Sequence, residues 1–227
     1  ACMFFVDGFA KDEIMEKLLE FFYGIQDEDL LRDAHTFSKS CVPYCEVAIS
    51  GEEDTIVGQI LSGVWAVFVD GMDQCVLIDQ RTYPQRTTSE PDQDKSFRGS
   101  RDGFVETMVF NAALIRRRIR SPRLCVEHLE VGETSRTDVA VCYFEGRADP
   151  ELVNTVRERI AQARVDALTM NQESLAELLV RKRWYNPFPK FKFTERPDAA
   201  AAQILEGDVV VLVDNSPAAI KIGRAHV

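Results

Sequence analysis

Two stretches of this chain match each other in order and spacing, and a repeat of that kind constrains a fold more than any local propensity does. DTIVGQILSGVWAVFVDG, residues 54–71, lies over DAAAAQILEGDVVVLVDN, residues 198–215, at an offset of 144, with Asp, Gln-Ile-Leu, Gly, two valines and a final Asp in common. Earlier, FFVDGFAKDEIMEK from Phe4 lies over CYFEGRADPELVNT from Cys142 at an offset of 138, sharing Gly8/Gly146, Ala10/Ala148 and Glu13/Glu151. The repeat predicts an α/β fold of two structurally similar small mixed-sheet subdomains, an internal duplication joined by a loop and a connecting helix. The first subdomain covers 1–122 with that loop and helix, and the second covers 123–221.

Local chemistry supplies the elements of each copy. An apolar strand ends at an acidic-Gly turn and an amphipathic helix follows. Asp149 caps one such helix with Pro150 at its first position. Leu152, Val153, Val156 and Ile160 give that helix one apolar face, as Ile14, Leu18, Phe21 and Phe22 do in the first copy. Asp54 and Asp198 are expected to cap the later helix of each copy, and Gly63 and Gly207 to stop it. Val64–Val69 and Val209–Val213 are short β-branched runs that open hairpins. LCVEHLEV from Leu124 predicts a strand paired across the turn GETSR with Thr137–Glu145. By symmetry, an equivalent strand belongs ahead of Ala1 in the first copy. A helix from about Asp102 to Arg120 carries Phe104, Met108, Ala112, Ile115 and Ile119 on one face and stops before Pro122.

Composition narrows the function. A formal net charge of −10 repels a phosphate backbone, so nucleic acid is not an expected partner. With 45% apolar and 28% charged residues the chain reads as globular rather than disordered. Its six cysteines form no CxxC pair, and Cys41 and Cys45 have only His35 nearby in sequence, so reduced thiols are expected and no metal or cofactor. No apolar run approaches the roughly 20 residues of a membrane helix, and the start lacks a signal-peptide pattern. Ala1 opens directly inside an apolar strand, and residues 222–227 match one reading frame of a common sequencing adapter and read as a non-native tail.

Neither GxxxxGK[ST] nor GxGxxG is present, which argues against a nucleotide loop. His35 and His128 lie far apart and no GxSxG surrounds a serine, while Asp92 and Asp94 sit among arginines that keep carboxylates ionised. An enzyme is therefore not expected.

The densest charge pattern is EPDQDKSFRGSRDGFVE, Glu90–Glu106, followed by a helix that ends in Arg116, Arg117, Arg118 and Arg120. Arginines at a helix C-terminus favour its dipole, yet three in a row face more than one direction and leave some for a partner or for lipid head groups. The loop and the helix entrance together resemble the GerA family of spore germination proteins. The matching residues are Glu90-Pro91-Asp92, Asp94-Lys95, Arg98-Gly99, Arg101, Gly103-Phe104 and Glu106, then Asn111 and Ala113–Ile119. Val131-Gly132, Ser135, Thr137-Asp138-Val139, Asn186–Pro189, Thr194–Asp198 and Ile204–Gly207 extend the likeness along nearly the whole chain.

The resemblance implies an integral protein of the spore inner membrane, with this domain on the cytoplasmic side ahead of a bundle of membrane helices. It implies a homo-oligomer working with other germination membrane proteins in an ion-conducting complex, the domain serving in assembly or gating. A ligand-sensing domain of a nutrient receptor subunit is the alternative. The candidate interface or ligand residues are Glu90, Asp92, Asp94, Arg98, Gly99, Arg101, Glu106, Asn111, Arg116, Arg117, Arg118, Glu195, Arg196 and Asp198. Ring-forming contacts use two different surfaces, and the stretches 90–101 and 194–198 are the candidates for them.

Overall fold

A computed structural model describes residues 1–10, 12–26, 31–42, 45–81, 102–163, 172–179 and 191–223. The chain forms two compact units, Ala1–Pro84 with Arg120–Pro122, and Gln85–Ile119 with Arg123–Val227.

The first unit contains β1 (Cys2–Phe4), α1 (Asp12–Tyr23), α2 (Ala34–Cys41), β2 (Glu46–Ser50), α3 (Glu53–Leu61), β3 (Trp65–Phe68) and β4 (Cys75–Asp79). Its strands lie in the order β1-β3-β4-β2, every neighbour antiparallel. Side chains alternate across the sheet, as the two-residue period of a strand requires. Trp65, Val67, Val76 and Ile78 pack with Leu18 of α1 and Phe37 of α2, while Ala66, Cys75 and Leu77 pack with Ile56 of α3. On α1 the residues packed on the core are Ile14, Met15, Leu18 and Phe22, and Phe21 is exposed although the apolar spacing predicts it on that face.

The second unit contains α4 (Met108–Arg118), β5 (Leu124–Val131), β6 (Thr137–Phe144), α5 (Pro150–Ala161), α6 (Gln172–Leu179), β7 (Lys192–Thr194), α7 (Pro197–Glu206), β8 (Val209–Val213) and β9 (Ala219–Ile222). The strand order is β5-β6-β8-β9-β7, again antiparallel throughout. Val139, Val141, Val209, Val211 and Val213 face α5 and α6; Ala140, Cys142, Phe144, Val210 and Leu212 face α4 and α7. Fully burying an aliphatic side chain such as Ile115 or Ile204 contributes roughly 1.5–3 kcal/mol, so these two layers hold the sheet from both sides.

The predicted α/β architecture with two sheets is present, with one difference. The sheets are antiparallel, not mixed, because every helical crossing returns the chain beside a strand running the other way. The two units also share their connectivity and register. Phe4 pairs with Ala66 as Cys142 pairs with Val210, and Val67 pairs with Val76 as Val211 pairs with Ile220. The helix expected to belong with the first subdomain, α4, packs instead in the second unit, against α7, β6 and β8. It starts at Met108 rather than Asp102.

Asp149 caps α5 by accepting the Glu151 N–H at 3.0 Å, with Pro150 at the first position. Asp54 and Asp198 are not the caps of α3 and α7; Glu52 and Arg196 hold those positions, and both aspartates lie inside the first turn, where their charge still favours the helix dipole. Gly207 ends α7 at φ 99°, and a Cβ there would stand 2.7 Å from the Arg147 carbonyl oxygen, so both conformation and space call for glycine. Ile222 completes β9, paired with Val209.

Candidate interface site

Of the residues singled out by the motif, Glu106, Asn111, Arg116, Arg117, Arg118, Glu195, Arg196 and Asp198 come together in the second unit. Glu90, Asp92, Asp94, Arg98, Gly99 and Arg101 lie outside the described residues.

The irregular stretch from Asp102 to Thr107 is held by three separate parts of the unit. The Phe104 N–H donates to the Glu195 carbonyl at 2.8 Å, and the Asn215 N–H donates to the Glu106 carbonyl at 2.8 Å. Asn111 reaches back from α4: its Oδ1 accepts the Val105 N–H at 2.8 Å and its Nδ2 donates to the Val105 carbonyl at 2.5 Å. These bonds keep the segment out of the helix although Phe104 carries the helical apolar period, and Phe104 is buried all the same. Asn111 is 1% exposed, so it cannot meet a partner; it is the internal tie of this entrance. The start of α4 is capped from a distance. Thr107 makes no side-chain cap, and the Asp214 carboxylate accepts the Met108 N–H at 3.0 Å.

A band of charge crosses from the end of α4 to the start of α7. Arg118 is ion-paired with Asp102 and also donates to the Leu114 carbonyl at 2.8 Å. Arg196 holds Asp198 with two bonds, at 3.0 and 2.5 Å. The Arg196 guanidinium first, and the more distant charge of Arg118, keep the Asp198 carboxyl below its ordinary range. Arg116 and Arg117 are half-buried; the Arg116 charge acts on Cys142, whose thiol burial nevertheless pushes up to about 12. Glu106 is exposed and Glu195 half-buried.

A second polar cluster escaped the sequence reading. Glu127 on β5 accepts the Tyr143 hydroxyl at 2.5 Å and both Arg157 donors, at 2.7 and 2.5 Å, while Arg157 also donates to Asn154 at 2.9 Å. The Arg157 bond lowers the Glu127 carboxyl from its usual value, and burial, with Glu127 added, raises the Tyr143 hydroxyl. The signal that joins them is the neighbouring same-face positions of β5 and β6 and an arginine on the helix above, which only the register brings together.

Chemically, the Arg196–Asp198 and Arg157–Glu127 pairs are fixed pairs of opposite charge, with the Asp198 and Glu127 carboxylates held as anions. Among the described residues no group of three His, Cys, Asp or Glu side chains converges on a metal-sized site. All six thiols are free.

The chain belongs to the family described as Bacillus/Clostridium GerA spore germination protein, which its residues match from 1 to 223. Within that family it is 50% identical over 167 residues to stage V sporulation protein AF of Bacillus subtilis strain 168, covering 74% of this chain and 34% of that protein. It is 28% identical over 215 residues to the uncharacterized membrane protein YfkQ of the same organism, covering 94% of this chain and 41% of that one. Among solved structures, the N-terminal domain of the A subunit of the Bacillus megaterium spore germinant receptor GerK3 superposes with a TM-score of 0.66 at 23% identity, over 96% of this chain and 80% of that one. The chain thus spans about a third to two-fifths of the length of the relatives it matches. The family description, stage V sporulation protein AF and the GerK3 A subunit carry the names of germination and sporulation proteins.

Proposed function

We propose that this domain is the water-facing, cytoplasmic part of a membrane-embedded GerA-family protein of the spore inner membrane, and that it serves in assembly or gating of an ion-conducting germination complex. One observation carries the reading. No helix among the described residues is long and apolar enough to cross a membrane, yet the chain spans only 41% of a relative named as a membrane protein. What remains of such a protein is where the membrane-spanning part belongs. The common register of the two units supports an origin by internal duplication, which yields two similar bodies on which different surface loops can be placed.

The assembly surfaces in this reading are the acidic and arginine-rich stretch 90–101 and the turn 194–198, whose Arg196–Asp198 pair is partly exposed. They meet their counterparts on neighbouring copies and on other germination proteins. The test is charge reversal, Arg98→Glu and Arg101→Glu, in the full-length protein. The expected result is loss of the higher oligomer on native electrophoresis with an unchanged melting temperature of the domain. Normal assembly of both variants, or simple melting, defeats the proposal.

A further inference from the structure

Matched helices of the two units differ at their C-terminal ends. α1 and α5 both have 12 residues, α2 and α6 both have 8, and Pro150 and Gln172 follow Asp12 and Ala34 at the common spacing of 138. At that spacing Ile14, Leu18 and Phe22 of α1 correspond to Leu152, Val156 and Ile160 of α5, and each set packs on the core of its own unit. Phe21 then corresponds to Arg159, and Cys41 to Leu179. In the second unit those two positions are joined. Arg159, in the last turn of α5, donates from its guanidinium to the Leu179 carbonyl at the end of α6. The last carbonyls of a helix have no donor within it and carry about half a negative charge, so this one arginine serves the ends of both helices.

In the first unit the same two positions line a cleft of about 560 Å³, together with Glu20, Ile25, Gln26 and Ser40. The last turn of α1 contains no basic residue, and among the described residues no basic side chain lines the cleft. Lys39, in the last turn of α2, is exposed and outside the lining. Burial pushes the Cys41 thiol up, so it is a neutral part of the wall. Two negative helix ends and the Glu20 carboxylate therefore border one space beside the Phe21 ring, where the second unit has its own guanidinium.

We infer that this cleft binds a guanidinium group carried on an apolar stem, in the place that Arg159 fills for the second unit. Its donors meet the carbonyls at the ends of α1 and α2 and the Glu20 carboxylate, its plane stacks on Phe21, and the stem lies along Ile25. Gln26 and Ser40 add acceptors at the rim. The volume suits a small ligand, and an anionic head finds only negative ends and a carboxylate there. The group is the same chemistry whether it belongs to a free alkylguanidine or to an arginine side chain of a partner.

The test is calorimetric titration of the protein with butylguanidinium, beside pentanoate and n-pentanol as probes of similar stem and different head. A saturable site for butylguanidinium is expected, at least about tenfold tighter than for either of the others. Equal affinity for all three, or no binding, overturns the inference. Glu20→Gln is expected to weaken butylguanidinium about fivefold, the upper end for an exposed ion pair. Phe21→Arg, at a position 51% exposed, is expected to abolish binding and to raise the melting temperature by about 2 °C, because the new side chain takes the role of Arg159. Unchanged affinity in Glu20→Gln, binding that survives Phe21→Arg, or a lowered melting temperature in Phe21→Arg each overturns the inference. A parallel titration with N-acetylarginine methylamide separates the two sources: tighter binding than butylguanidinium supports the site as one for a partner's arginine, and weaker binding supports it as one for a free alkylguanidine.

Discussion

Among the described residues, the second unit places one layer of helices on each face of its sheet, whereas the first has two helices on one face and α3 on the other. Connectivity and register are the same in both, so the difference does not come from topology. It comes from what covers one face, and it shows in residues of matched position. Ile204 on α7 is fully buried among α4 and the sheet, while Ile60 at the same place on α3 is only partly buried. A shared ladder thus sets where a side chain points, and the neighbouring layer decides how much its burial stabilises.

The largest effect that can break this comparison is at that pair. Ile204→Ala is expected to cost about 3 kcal/mol and Ile60→Ala about 1 kcal/mol, because the cavity term requires a closed surround. Native-state hydrogen exchange, read separately on β8 and β3 amides, measures both; equal costs mean that the faces are equally covered. Next is Asn111→Ala, which leaves the Val105 N–H and carbonyl without their partner and is expected to cost about 2 kcal/mol by the same measurement. Smaller again is the cap: Asp214→Ala is expected to cost about 1 kcal/mol, and Asp70→Ala, at the matching exposed position, less than about 0.5 kcal/mol. The smallest concerns acid. Glu127, Asp198 and Asp79 are each lowered by an arginine partner, so their contribution is present above the unfolded carboxylate value of about 4 and is lost as pH falls through the folded value. Each is worth less than about 1 kcal/mol at these partly exposed sites. Glu127→Gln and Asp198→Asn are expected to flatten the fall of melting temperature between pH 5 and 3 in the second unit, and Asp79→Asn in the first.

Much of this fold was legible in the residues themselves. The alignment of Phe4 with Cys142 and of Trp65 with Val209 is the register that the ladders adopt, because a two-residue period lets only one pairing bury every valine. Leu124–Val131 and the capped helix at Pro150 are where their turn and cap chemistry places them. What the reading missed is short or decided from far away. The strands Glu46–Ser50 and Lys192–Thr194 and the helices at Ala34 and Gln172 are too brief for a period to stand out. The early start assigned to α4 failed because Phe104 keeps the apolar spacing of a helix while its backbone is claimed by Glu195. The site was half legible: the motif located the entrance to α4 and the start of α7, but it did not distinguish Asn111, an interior tie, from the arginines at the other end of the same helix.

The cap on α4 has a consequence for how the domain is made. Its acceptor, Asp214, comes 106 residues after Met108, and the carbonyl that fixes Phe104 also comes from far down the chain. During synthesis at about 5–20 residues per second, the arginine-tipped helix emerges on the order of 5–20 s before the turn that holds its first N–H. Until then only the tie of Asn111 to Val105 anchors its beginning, and the β8–β9 hairpin brings the acceptor that completes the start of the helix.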